Sequence, residues 1–167
     1  MAGHVAKGNA MKTQPLSALK TEFLCEISVD LEEAQPIGLT PHGNRQIVYV
    51  KGGTVEGPRI KAELLPGGGD WFLIRPDGIG ELDVRATLRT DDGHLIYSYY
   101  RGIIDASPDV FQRVLAGEAV DPSEYYFRIA PFYETGSEKY AWLNRIVAVG
   151  VGRMAPHWVG YSIYAIL

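Results

Sequence analysis

Apolar and polar residues alternate from Thr21 onward. Phe23, Cys25, Ile27 and Val29 fall on one phase, and Glu22, Leu24, Glu26, Ser28 and Asp30 on the other. A period of two predicts a half-buried strand. Pro36, Gly38, Pro41 and Gly43 then predict a loop. Gln46 to Lys51 reads as a second strand ended by Gly52-Gly53, and Thr54 to Leu65 as a third with a bend at Gly57-Pro58. Pro66 to Asp70 predicts a turn, Trp71 to Arg75 a short strand, and Pro76-Asp77-Gly78 another turn. Ile79 to Thr90 and Leu95 to Ile104 form a hairpin about Asp91-Asp92-Gly93.

The period changes at Ser107. Ser107 suits a helix N-cap, Pro108 the first helical position, and Asp109 the positive end of the helix dipole. Val110, Val114 and Leu115 share a face, and Gly117 ends the helix. Strands resume at Tyr125 to Tyr133. A helical turn fits Gly136 to Leu143, and strands Arg145 to Arg153 and Trp158 to Leu167 turn about Ala155-Pro156-His157. The expected class is all-β: a single antiparallel up-and-down β-barrel of about 8–10 strands with one short helix, because closure removes unpaired strand edges. A sandwich is the alternative. The barrel domain is expected over 21–167. Residues 1–20 lack the apolar run of a signal peptide and read as a flexible tail or leader.

Composition narrows the function. The chain has 167 residues and a net charge of −4, which argues against a phosphate-tracking nucleic-acid binder. Cys25 is the one cysteine, so an internal disulfide and a cysteine-based zinc site are excluded. A reducing, cytoplasmic setting is expected. No apolar run is long enough for a transmembrane helix. Gly52-Gly53 and Gly67-Gly68-Gly69 lack the Gly-Lys-Ser/Thr of a phosphate loop and read as turns. No metal and no cofactor are expected.

Two polar faces carry the candidate chemistry. Glu81, Asp83, Arg85, Thr87 and Arg89 oppose Leu82, Val84, Ala86 and Leu88. Tyr97, Tyr99 and Arg101 oppose Ile96, Ser98 and Tyr100. On one reading the polar faces are solvated. On the other, Asp83, Arg85, Tyr97 and Arg101 line a polar cavity suited to an anionic or carbonyl-bearing ligand. Of His4, His42, His94 and His157, only His42 is a candidate acid or base. Asp70 and Trp71 could sit at a barrel mouth. Glu134, Trp142 and Asn144 lie near an irregular stretch.

Several motifs then occur in order. They are Gly52-Gly53-Thr54-Val55-Glu56-Gly57-Pro58-Arg59, Leu65-Pro66-Gly67-Gly68-Gly69-Asp70-Trp71, Arg75-Pro76-Asp77-Gly78, Arg89 to Tyr97, Tyr126-Phe127-Arg128 and Tyr140-Ala141-Trp142-Leu143-Asn144-Arg145. As a set they resemble the bacterial and fungal family filed as domain of unknown function 3237, from about Thr21 to the C-terminus. The resemblance implies a calycin-like or lipocalin-like barrel with a central cavity. The segment Asp105 to Asp121 looks particular to this chain and could act as a lid or a partner surface.

Two functions fit. The first is a cofactor-independent cyclase, isomerase or lyase acting on a carbonyl-bearing, partly apolar small molecule. Asp83, Glu134 or His42 would move a proton, Arg85, Arg101 and Tyr97 would hold the oxygen, and Trp71, Trp142 and Asn144 would line the pocket. The second is a non-catalytic binding or carrier protein. A cavity-facing carboxylate without a neutralising arginine would favour the first. No nucleic acid or membrane partner is expected. An exposed edge or the strand Trp158 to Tyr164 could support a homodimer.

Overall fold

The computed structural model describes residues 18–167. The leader segment and His4 lie largely outside them. Eleven strands form a single antiparallel sheet in the order β1-β11-β10-β9-β8-β7-β4-β3-β2. They are β1 Thr21–Leu31, β2 Gln35–Thr40, β3 Gly43–Glu56, β4 Lys61–Leu64, β5 Gly69–Asp70, β6 Leu73–Ile74, β7 Gly80–Thr90, β8 Leu95–Asp105, β9 Tyr126–Glu134, β10 Val147–Ala155 and β11 Trp158–Ile166. Pairing of β1 with β3, from Glu26↔Glu56 to Asp30↔Gly52, closes the sheet into a barrel. Between β3 and β7 the wall is one interrupted stave, β4 then β5 then β6.

The predicted loop at Pro36 to Gly43 is instead strand β2, turning at Pro41-His42 into β3. Gly52-Gly53 does not end a strand, because β3 runs through it. A Cβ on Gly53 would stand 2.1 Å from the Ser28 carbonyl oxygen, so only glycine lets β1 and β3 close here. Phe23 and Cys25 do not share a face. A bulge between them puts Phe23 opposite Tyr164 on the outside and Cys25 opposite Ile163 in the core.

The two ends of the barrel are filled differently. Near the β7–β8 turn the interior is solid with Cys25, Val55, Leu64, Leu88, Ile96, Tyr133 and Ile163. Tyr140 and Leu143, flanking and within a 3₁₀ turn at Ala141–Arg145, complete this core. At the other end stands helix α1, Pro108–Leu115, its N-cap Ser107 accepting from the Val110 N–H as the sequence predicts. Between the ends, Phe127 lies over Gly152, where a Cβ would meet its ring at 2.4 Å. Among the described residues, no helix is long and apolar enough to cross a membrane.

Candidate functional site

Strand alternation decides what faces inward. On β7, Leu82, Val84, Ala86 and Leu88 are buried while Asp83, Arg85 and Arg89 face out. On β8, Ile96, Ser98 and Tyr100 face in, and Tyr97, Tyr99 and Arg101 face out. The solvated reading of the polar faces is therefore correct, and the polar cavity is not built. Burying the apolar face is favourable and enclosing that row of charges would be costly, so both effects turn the charges outward.

None of the nine expected site residues lines the cavity. Asp83 accepts from Arg85 Nη1 at 2.8 Å on the outer wall, with Arg101 Nη2 at 4.0 Å. Tyr97 stacks on Tyr99, and Trp71 lies on the same outer surface under the Arg85 guanidinium. His42 is exposed in the β2–β3 turn, its amide donating to Thr40 Oγ1. Glu134 is exposed at the end of β9. Trp142 packs against the solid end beneath the Arg59 guanidinium, 3.9 Å away. Asn144 clamps its own loop, bonding both the amide and the carbonyl of Thr135.

The cavity has a volume of about 740 Å³ and opens beside α1. Its wall is almost wholly apolar: Val29, Val48, Val50, Phe72, Val84 and Phe127 among others, with Phe111 and Leu115 of the helix over the mouth. Among the described residues, no lysine, arginine or histidine lines it. Three carboxylates do. Asp77 is held by Arg75 in the turn before β7, Asp105 ends β8 at the rim, and Asp70 stands deeper in the wall.

Asp70 reaches the interior through the interrupted stave. Asp70, Phe72 and Ile74 all line the cavity, while Trp71 faces out. Register puts Val48, Asp70, Val84 and Tyr100 on one inner rung. The Asp83 N–H donates to Asp70 Oδ1 at 3.0 Å, taking a carboxylate where a regular ladder would supply a carbonyl. Burial pushes the Asp70 carboxyl up to about 7, against the opposing pull of that amide. The nearby Asp83 charge adds to the rise, and Arg45 outside the wall offsets a little of it.

Tyr100 donates to the hydroxyl of Tyr161 at 3.3 Å across the interior, the two rings meeting edge to face. Burial raises both phenols well above their usual range, so both hold their protons at neutral pH. Asp70 is thus a carboxyl group poised near neutrality in an apolar chamber, on the same rung as a neutral phenol. The sequence signal for it was a lone carboxylate in phase with Phe72 and Ile74 after three glycines. Among the described residues, no cluster of three or more His, Cys, Asp or Glu could hold a metal ion.

The family model described as protein of unknown function (DUF3237) matches residues 19–166. A UPF0311 protein of Clostridium acetobutylicum is 39% identical over 124 residues, covering 74% of this chain and 78% of its own. The crystal structure of a conserved protein of unknown function from Rhodopseudomonas palustris superposes with a TM-score of 0.85 at 31% identity, covering 91% of this chain and 100% of that one. A beta-barrel like protein from Acinetobacter baumannii gives 0.80 at 36%, covering 93% and 100%. More distant is PR-toxin biosynthesis cluster protein 7 of Penicillium roqueforti, 28% identical over 154 residues, covering 77% of this chain and 80% of its own. An enzyme from Penicillium herquei shares the fold at 19% identity, with a TM-score of 0.69 over 92% of this chain and 98% of that one.

Proposed function

This chain belongs to the family of proteins of unknown function DUF3237, and we propose that it is a cofactor-independent enzyme of the isomerase, cyclase or lyase type. Its substrate is a neutral, partly apolar, carbonyl-bearing small molecule held in the barrel cavity. The observation that carries this reading is Asp70: a cavity-lining carboxyl with no arginine on the cavity wall beside it. A fungal biosynthesis-cluster relative and a fungal enzyme of the same fold support a small-molecule activity. A barrel with a single lidded mouth is also the arrangement of calycin-like ligand binders.

The chemistry follows from the lining. A wall without cations gives an anion nothing to offset its lost hydration, so the ligand is uncharged. A volume of about 740 Å³ fits a drug-sized molecule. An acid or base works best when its pKa lies near the working pH, and burial puts Asp70 there. Ionised Asp70 takes a proton from a carbon next to the carbonyl, and the electron pair moves onto the carbonyl oxygen. A neutral phenol of the Tyr100–Tyr161 pair donates to that oxygen as its charge develops. Asp70 then returns the proton at a second carbon, which completes an isomerisation. Expulsion of a leaving group instead gives a lyase.

Hydrogen–deuterium exchange tests this directly. A panel of neutral polycyclic ketones is incubated in heavy water with the protein and with Asp70→Asn, and read by mass spectrometry. The proposal expects deuterium next to the carbonyl with the wild type only, at a rate that rises with pH through about 7. A ketone retained on the protein without exchange across that range assigns the chain to the carriers.

A further inference from the structure

The side chains absent from the cavity build a different surface. On the outer wall Arg85 lies opposite Tyr99, and Asp83 opposite Arg101, across β7 and β8. Tyr99 lies opposite Phe132, and Ile103 opposite Arg128, across β8 and β9. Tyr97, Tyr99 and Phe132 stack in a row with centroids 5.3 and 5.7 Å apart and planes 24° and 19° from parallel. The Arg85 guanidinium stands 5.7 Å over the Trp71 ring beside them. A shallow groove of about 500 Å³ separates Trp71 from Tyr126, with Asp83, Arg101 and Ile103 in its floor.

Trp71, Tyr97, Tyr99, Ile103, Tyr126 and Phe132 are each between 36% and 50% exposed. At roughly 200 Å² per large side chain they leave about 500 Å² of mostly apolar surface on each copy. The stems of Arg85 and Arg101 extend it toward the roughly 800 Å² per partner of a standard interface. Stacked tyrosines, tryptophan and arginine are the residue types that anchor protein interfaces.

The charges identify the occupant. Arg85, Arg101 and Arg128 are interspersed on this face with Glu81, Asp83 and Glu134, so it is neutral and carries both signs. That excludes nucleic acid, which needs an excess of cations. It suits a surface that meets itself about a two-fold axis, where each cation can face a carboxylate. The Arg101 side chain is 84% exposed and reaches its own Asp83 only at 4.0 Å, so it is free to bridge outward. Both edges of β11 are taken, by β1 and β10, so this strand offers no edge for pairing with a second copy. The β2 edge is blunted by Pro36 and by a bulge before Gly38.

We propose that the outer face of β7, β8 and β9 is the interface of a symmetric homodimer. Light scattering after size exclusion, at micromolar concentration, should give twice the chain mass for the wild type. Tyr99→Glu and, separately, Arg101→Glu should shift the mass to that of one chain, with the strand signature in circular dichroism unchanged. Arg101→Glu decides if Tyr99→Glu fails to fold, because so exposed a side chain carries no folding role. Adding Asp83→Arg to Arg101→Glu should restore the dimer by exchanging the two signs. A monomeric wild type, or a dimer that survives both single substitutions, overturns the assignment.

Discussion

Asp70 lines the hollow part of the barrel, Asp92 sits in the turn at its solid end, and their carboxyls are shifted in opposite directions. Asp92, in the β7–β8 turn at the solid end, accepts from Lys139, from Thr90 Oγ1 at 2.6 Å and from Tyr140 Oη at 3.1 Å. Those donors, Lys139 foremost, hold its carboxyl well below the usual carboxylate range. Asp70, in the hollow part, has one amide donor, and burial pushes it up to about 7. A carboxylate surrounded by donors is a fastening. One left short of donors in an apolar wall keeps its proton to near-neutral pH. The same fold spends its polar contacts at one end and withholds them at the other.

The largest expected effect separates the ends by packing. Leu143→Ala removes a fully buried side chain from the solid end and should cost about 3–4 kcal/mol in urea unfolding. Phe111→Ala at the mouth removes a side chain that already borders empty space and should cost about 1 kcal/mol or less. Equal losses would mean that the hollow end is as tightly filled as the other.

Next comes Asp70→Asn. The folded pKa lies above the unfolded one, so between pH of about 4 and about 7 the folded state binds more protons and wild-type stability falls as pH rises. Asparagine keeps an acceptor for the Asp83 amide and carries no charge. The variant should therefore be more stable than wild type by about 2–4 kcal/mol at pH 8, and equal to it near pH 4. A constant difference across that range would show that Asp70 does not titrate late.

Gly152→Ala forces a methyl group into the Phe127 ring between the two ends and should lower stability by about 1–3 kcal/mol. Asp92→Asn should have the smallest effect and the opposite pH sense from Asp70→Asn. Its folded pKa is depressed, so its contribution is present at neutral pH and fades as pH falls through the acid range. Denaturation midpoints of this variant and wild type should converge on acidification.

Much of the fold was legible because period-two alternation and turn chemistry are local. The β7–β8 hairpin, the Ser107 cap and the closing pair β10–β11 follow from adjacent residues. Two misreadings were also local in origin. Gly52-Gly53 looks like a terminator but is the place where β1 crosses close to β3, which depends on a segment more than 20 residues away. The bulge after Phe23 slips the phase by one residue without any proline or glycine to mark it. The site failed for a different reason. Charged residues in clean alternation have the same pattern whether a barrel's inside is wet or dry. The carboxylate that lines the cavity lies on a two-residue strand, Gly69–Asp70, too short to show a period. Only its phase with Phe72 and Ile74 betrays it.

The hydrogen bond from Trp158 Nε1 to Ser28 Oγ, 2.7 Å long, fixes an indole against the cavity wall. Trp71 and Trp142, the other two tryptophans, lie away from it. The molecule therefore carries its own optical gauge of occupancy. With Trp71 and Trp142 replaced by phenylalanine, emission from a single indole would report whatever enters the barrel.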